Sequence, residues 1–418
     1  MDAPPLAGVT TVIENAAQVL TCAAAATDGI GLVPGGIVAI AGTKIAAVGT
    51  RAAVARSYAL EGAVRIDARG GVVMPGFVDS HTHLVFHGSR VQEYALRMRG
   101  ASTAEIAARG IPTGIKATVA MLQQASIEQL VLSASQRLDQ MLACGTTTVE
   151  SKSGYGLSTA TELRMLRVNR ELDRQHPVDV VSTFLGAHEF PDYCSREAYL
   201  QLLVEEMLPA VAAERLAEFN DVYCDEGYYT VAESHRILHA GAALGLGVKI
   251  HTDAYSHIGG STLAAELGAV SADHLNYTHS DEYALLRNAG VVGVVMPGLD
   301  FSVRHPHPFA ARAMLDAGVT LALATDLCPA CWLESMPTVI QLACRLYGFG
   351  VDEAIRAATL HGARAIGRAD SVGSLEPSKL ADIAVFPLER YEDLAYRLGR
   401  SHASLVLKNG KIVHDARP

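Results

Sequence analysis

The sequence predicts an α/β protein: a (β/α)8 barrel of the TIM type over residues 71–372, with a small β-sandwich domain built from residues 1–70 and 373–418 of the two ends. Three observations predict it. The middle of the chain alternates apolar runs with helix-like stretches, about eight strand–helix units in about 300 residues, the count and size of such a barrel. Both ends carry short β-like runs broken by Gly turns. Polar residues in the middle gather at the ends of the apolar runs, and the C-terminal strand ends are where this fold keeps its site.

At the N-terminal end the β-like runs are residues 9–13, 36–41, 44–48 and 63–66. At the C-terminal end they are 382–386, 404–408 and 411–414, the last two joined by Asn409-Gly410, a hairpin signal. In the middle, strands are expected to end near His83, Lys152, His188, Glu226, His251, His274, Pro297 and Asp326. Helices are expected between them, among others at 127–143, 161–175, 199–213, 231–243, 262–267 and 310–317.

The chain has 418 residues, half of them apolar and 19% charged, which suits a folded protein too long for one ordinary core. A formal net charge of −10 argues against nucleic acid, whose phosphates need clustered Lys and Arg. Seven scattered cysteines (22, 144, 194, 224, 328, 331 and 344) suit a reducing cytoplasm better than a disulfide framework. No Lys or Arg precedes Lys44, so no signal peptide is expected. Residues 15–43 are mostly apolar, but Asp28, Pro34 and several Gly interrupt them, so no transmembrane span is expected either.

The chemistry begins at His81-Thr82-His83. Side chains two apart on a strand face the same way, so both imidazoles can point at one ion. His251 closes the apolar run Gly247-Val248-Lys249-Ile250, and Asp326 closes Leu321-Ala322-Leu323-Ala324-Thr325. Any one of these residues alone reads equally well as a polar strand end. Together they make three imidazoles and one carboxylate at one barrel mouth, a donor set for a catalytic divalent ion, zinc or iron, with a water position left open. Such an ion lowers the pKa of water toward neutrality. His274, which closes Ser271-Ala272-Asp273, is placed to orient that water or the substrate carbonyl.

With these residues in view, the stretches Pro75-Gly76-Phe77-Val78-Asp79-Ser80-His81-Thr82-His83 and Ala324-Thr325-Asp326 resemble the amidohydrolase superfamily. More narrowly, the chain resembles the imidazolonepropionases. The matching stretches include His83-Leu84-Val85-Phe86-His87-Gly88-Ser89-Arg90, Thr146 through Gly156 with its Ser-Gly-Tyr-Gly, Thr183 through His188, and Ser271 through His274. The resemblance implies a metal held by His81, His83, His251 and Asp326, and catalytic proton transfer by Asp326 with help from His274. It also implies substrate contacts from Arg90, Tyr155 and His188. A guanidinium fork at Arg90 suits a carboxylate or a polarised carbonyl.

Three positions depart from the family pattern. Ala254 stands where a Glu, or sometimes a Gln, is usual three residues after the third metal His. Leu327-Cys328-Pro329-Ala330-Cys331-Trp332 replaces the usual Phe-Asn-Pro-Gly-Ser, so an amide expected at the substrate's propionate becomes the Cys328 thiol. A Tyr expected near the substrate is replaced around Ser102-Thr103. A methyl group cannot relay a proton, and Asp253 points to the opposite face of a continuing strand. The expectation is a one-metal hydrolase opening a C–N bond of a five-membered cyclic amide with a carboxylate side chain. Alternatives are hydrolysis of a related thioxo-imidazolidine or hydantoin propionate, by C–S or C–N cleavage, or deamination of a ring amidine. A non-catalytic metal-binding scaffold is the reading from another class. Cys328 is expected to line the pocket and Cys331 to pack. Lys152 is not expected to carry a carbamate bridge to a second metal. The partners expected are a small-molecule substrate and, from family habit, a second copy of the chain.

Overall fold

The computed structural model describes residues 7–307 and 309–417. Eight strands, in chain order, form one sheet: β1 Phe77–Asp79, β2 Thr146–Lys152, β3 Asp179–Ala187, β4 Phe219–Cys224, β5 Gly247–Thr252, β6 Ser271–His274, β7 Val292–Val295 and β8 Leu321–Leu323. From β3 to β8 every neighbouring pair runs parallel. Just past β1 and β8, Thr82 bridges Leu327 in parallel, which closes the barrel. Helices such as Ile127–Ala143, Thr159–Gln175 and Val231–Ala243 connect the strands. Strand β2 is buried along its whole length, as a strand covered on both faces must be.

The strand ends lie within a few residues of the positions read from the sequence. Register then does the aligning: Tyr223 pairs with His251, His251 with Asp273, and Thr252 with His274. The expected helix at 199–213 is divided into Arg196–Leu202, a π-helical turn Leu203–Met207, and Leu208–Glu214. Pro209 sits in the first turn of the last piece. Its missing N–H and its ring disrupt the regular ladder there, and the wider turn absorbs the defect.

The chain divides into two compact units. One consists of the chain up to Ser80, Asp139–Thr148 and everything from Ser335 onward; the other of His81–Leu138 and Val149–Glu334. The first unit contains two sheets from the chain ends. The six-stranded sheet runs Lys411–Asp415, Leu405–Lys408, Ile383–Phe386, Val72–Pro75, Gln18–Leu20, Leu32–Pro34. The four-stranded sheet runs Lys44–Gly49, Ile37–Ala41, Thr11–Glu14, Val64–Asp67. Val19, Val73, Ile383 and Leu405 of the first pack on Ile13, Val38, Ile40 and Ile66 of the second, the interior of a β-sandwich. The alternate residues Val12, Ile37 and Ala39 form a second core on the other face of the four-stranded sheet. The sequence boundary at 70/71 misplaces Val72–Pro75, which pairs with Gln18–Val19 and Ile383–Phe386 in the sandwich. The apolar run 71–77 is in fact two strands, divided at Pro75-Gly76. No helix among the described residues is long and apolar enough to cross a membrane.

Candidate active site

All nine residues singled out from the sequence lie in the second unit, between His81 and Glu334. His83, Arg90, Tyr155, His188, His251, His274, Asp326 and Cys328 line a single cavity of about 610 Å³, and His81 is fully buried beside it.

Three imidazoles and a carboxylate converge at its floor. His81, His83 and His251 each place a donor atom within 4.8 Å of the others, as do His81, His274 and Asp326. Asp326 Oδ1 is 3.7 Å from His81 Nε2 and 3.8 Å from His83 Nε2. Donors around a tetrahedral zinc stand about 3.4 Å apart, so little adjustment separates this arrangement from coordination. His81 Nε2 and His251 Nε2 are buried without a hydrogen-bond partner among the described residues. Buried polar atoms left so are costly, and a cation satisfies them. Burial, followed by the nearby Lys152 ammonium, holds His81 well below the usual histidine range, and burial does the same for His83 and His251. Neutral imidazoles with an open lone pair are what a metal requires. The residues fit a divalent ion.

Below the histidines lies a layer of charge that sequence reading missed. Asp273 Oδ2 accepts from His81 Nδ1 at 2.7 Å, which leaves Nε2 bare toward the site. Asp221 Oδ2 is 3.0 Å from His251 Nδ1, without the alignment of a hydrogen bond. Lys152 Nζ donates to Glu150 and Asp221 at 2.8 Å each and lies 3.2 Å from Asp273; Lys249 Nζ lies 3.2 Å from Glu150. All five side chains are fully buried. Burial pulls the Lys152 pKa down, but the three carboxylates outweigh it and hold the ammonium charged above the ordinary lysine range. Set among three carboxylates, the Lys152 ammonium is their counter-charge. Burial raises Asp273, yet Lys152 and Lys249 win and leave it below the usual carboxylate value. The available signal was charged residues at two-residue spacing within apolar strands, Glu150 with Lys152 and Lys249 with His251.

Three residues of the same rim share an unusual backbone. Asp253 (φ +52°), His274 (φ +82°) and Asp326 (φ +48°), all at strand ends, adopt left-handed conformations.

Around the cavity, His188 stacks on His83 with centroids 4.8 Å apart, and its Nδ1 contacts the Gly154 carbonyl at 3.2 Å. Burial pushes His188 down to about 4, so it is neutral and, with Nδ1–H on Gly154, presents Nε2 as an acceptor. Tyr155 sits 5.3 Å from the His83 ring. Its loop is held by the buried Glu162, which accepts from the N–H groups of Gly154, Gly156 and Leu157. Arg90 reaches the cavity, but its fork is already used. Nε and Nη2 donate to the two oxygens of Glu93 at 2.7 and 2.8 Å.

The positions of departure are distributed as follows. Ala254 is buried and absent from the cavity wall, where Tyr223, Tyr228 and Tyr255 stand instead. Asp253 is bound to Ser261 and Thr278, away from the ion site. Cys328 lines the cavity, and burial, then Asp326, keeps its thiol protonated. Cys331 is buried beside Thr325 O and Ser302 Oγ. Ser102 caps the helix Thr103–Ala108, and Thr103 Oγ1 accepts from Arg97.

A barrel with convergent histidines and an aspartate at its C-terminal strand ends defines a class, and comparison gives it a name. Residues 221–413 and 65–112 match the models of the amidohydrolase family. The chain belongs to the amidohydrolase family. Among its relatives, the imidazolonepropionase of Symbiobacterium thermophilum is 48% identical over 92% of this chain and 91% of its own length. That of Geobacillus kaustophilus is 44% identical, with the same coverages of 92% and 91%. An adenosine deaminase from Xanthomonas campestris with bound zinc superposes with a TM-score of 0.73 at 20% identity, covering 99% of this chain and 94% of its own. An atrazine chlorohydrolase variant from Arthrobacter aurescens gives 0.72 at 17% identity, covering 97% and 96%. These two likenesses concern the fold.

Proposed function

We propose that this chain hydrolyses a C–N bond in a five-membered cyclic amide bearing a carboxylate side chain, an imidazolone-propionate-like ring, using one zinc ion held by His81, His83, His251 and Asp326. Iron is the other ion this donor set takes. The observation that supports it most is the pair of bare, buried nitrogens, His81 Nε2 and His251 Nε2, beside Asp326 in a chain nearly half identical to imidazolonepropionases.

When bound, the ion polarises water and carbonyl oxygen at neutral pH. Asp326 takes a proton from the attacking water and returns it to the ring nitrogen as the C–N bond breaks. His274, kept neutral near 4 by burial, hydrogen-bonds the water or the carbonyl. His188 Nε2 accepts from a ring N–H, and Tyr155, Tyr223 and Tyr228 give the ring an aromatic surround. The cavity is wide enough for a ring and a short acid chain.

No carboxylate reaches the cavity from position 254, and a thiol stands at Cys328. Both changes favour a ring whose leaving group needs little protonation, a thioxo-imidazolidine or hydantoin propionate. Deamination of a ring amidine fits less well, since it lacks the carboxylate relay. One experiment separates these. Zinc-loaded protein is given the imidazolone, hydantoin and 2-thioxo propionates, and ring opening, sulfide and ammonia are measured. Fastest opening of the imidazolone supports the first reading, and preference for the thioxo ring supports the second. Ammonia release, or no turnover of any ring, would overturn both.

A further inference from the structure

The cavity contains three arginines, and their commitments differ. Arg90 and Arg97 both donate to Glu93, at 2.7–2.8 Å and 2.9 Å. Arg304 lines the same cavity and makes no side-chain hydrogen bond or ion pair among the described residues. Its backbone is nevertheless well fixed. It caps the helix Pro297–Val303 in a left-handed conformation, φ +54°, unusual for a residue with a side chain. The next N–H, of His305, donates to Asp300 O at 2.8 Å, and the His305 ring bonds Ala254 O at 2.8 Å.

The position of that helix gives Arg304 its meaning. Ser302 Oγ lies 3.7 Å from Cys331 Sγ, so the helix packs on the turn that carries Cys328. Leu299, Ser302, Val303 and Arg304 thus share the cavity wall with Cys328 and Pro329. In the pattern this chain resembles, an amide at position 328 meets the substrate's acid chain. A protonated thiol is a poor partner for a carboxylate. An uncommitted guanidinium on the same wall is a good one.

We propose that Arg304 is a specificity-determining residue, the cation that recognises the carboxylate of the substrate's side chain. Arg90 is held on Glu93. This deepens the ring-hydrolase reading and rests on it.

The test compares wild type, Arg304→Gln and Arg304→Lys on hydantoin-5-propionate and its carboxamide. KM is read from turnover and affinity from titration calorimetry on the zinc-loaded enzymes. Arg304→Gln is expected to weaken the acid about 10- to 100-fold and the carboxamide less than about threefold, with Arg304→Lys recovering part of the loss. A merely structural role would weaken both ligands alike. Equal weakening of acid and carboxamide, or none, would overturn the assignment. If wild type binds the acid without opening any of the rings, and Arg304→Gln abolishes its preference over the carboxamide, the reaction fails and the anion site stands. Wild type that binds neither ligand would overturn both.

Discussion

Replacing Lys152 by Met tests the charge layer beneath the histidines most directly. Nζ stands 2.8 Å from Glu150, 2.8 Å from Asp221 and 3.2 Å from Asp273, with none of these side chains exposed. At about 3 Å and an effective dielectric of about 20, each contact contributes about 5 kcal/mol of attraction. Dehydrating the ions offsets several kcal/mol of that for each one. Methionine fills a similar volume but leaves three buried carboxylates facing Lys249 alone. Losing one member of a buried ion network costs about 3–5 kcal/mol, and that is the expected loss of folding stability. The assay is equilibrium urea denaturation of metal-stripped protein at neutral pH, followed by circular dichroism, since bound metal would add its own stabilisation. Adding Glu150→Gln to Lys152→Met restores the original balance of charge and should return at least about 1 kcal/mol. A single-variant loss below about 1 kcal/mol, or no recovery in the double variant, would refute the idea that these groups are ionised and coupled.

Asp273→Ala removes the partner of His81 Nδ1 and should lower zinc affinity about 10- to 100-fold, measured by competition with a chromophoric chelator. Cys328→Asn should shift preference among the imidazolone, hydantoin and thioxo propionates while metal content by elemental analysis stays at one ion per chain. Metal loss would show that Cys328 does more than line the cavity. The Arg196 fork lowers Glu233, which completes the capping box with Thr230 at the start of the helix Val231–Ala243, from the ordinary 4.5 to about 2. A depressed carboxyl stabilises the fold above its unfolded pKa and loses that contribution as pH falls through the folded one. Glu233→Gln should therefore unfold at a lower temperature than wild type at pH 7, with the gap closing between pH 4.5 and about 2. A gap unchanged down to pH 2 would contradict the pairing.

Much of this was legible in the sequence, for identifiable reasons. The helices Ile127–Ala143 and Val231–Ala243 have the bounds that their periodicity predicts, because each presents one apolar face over many turns. Strand ends were legible because a polar ligand terminates an apolar run. The exchange of Val72–Pro75 into the sandwich was not, since an apolar run does not state which sheet it joins, and its partner Ile383–Phe386 lies about three hundred residues away. The charge layer was hidden by the same distance. Lys152 and Asp221 are 69 positions apart, and each alone reads as a stray charge in a strand. Arg90 was legible as a cavity residue, but its commitment to Glu93 depends on a rotamer, which a sequence does not carry.

The departures from the family pattern divide along a structural line. His251, with Asp273, Lys152 and Lys249 beneath it, sits on barrel strands, and His81 and His83 flank Thr82, which bridges Leu327. Ala254, Cys328 and Ser102 lie in the connections beyond the strand ends. The two groups are under different physical constraints. Changing a member of the strand layer exposes an unbalanced charge or frees a histidine tautomer, at a cost of several kcal/mol in fold or metal affinity. Changing a wall residue such as Cys328 alters what the cavity offers a ligand. A chain that keeps the first group keeps the residues that would hold an ion, whatever its cavity wall offers a ring. The same division explains why an arginine on the helix packed against the altered turn can take over recognition of an acid chain without disturbing the ion site.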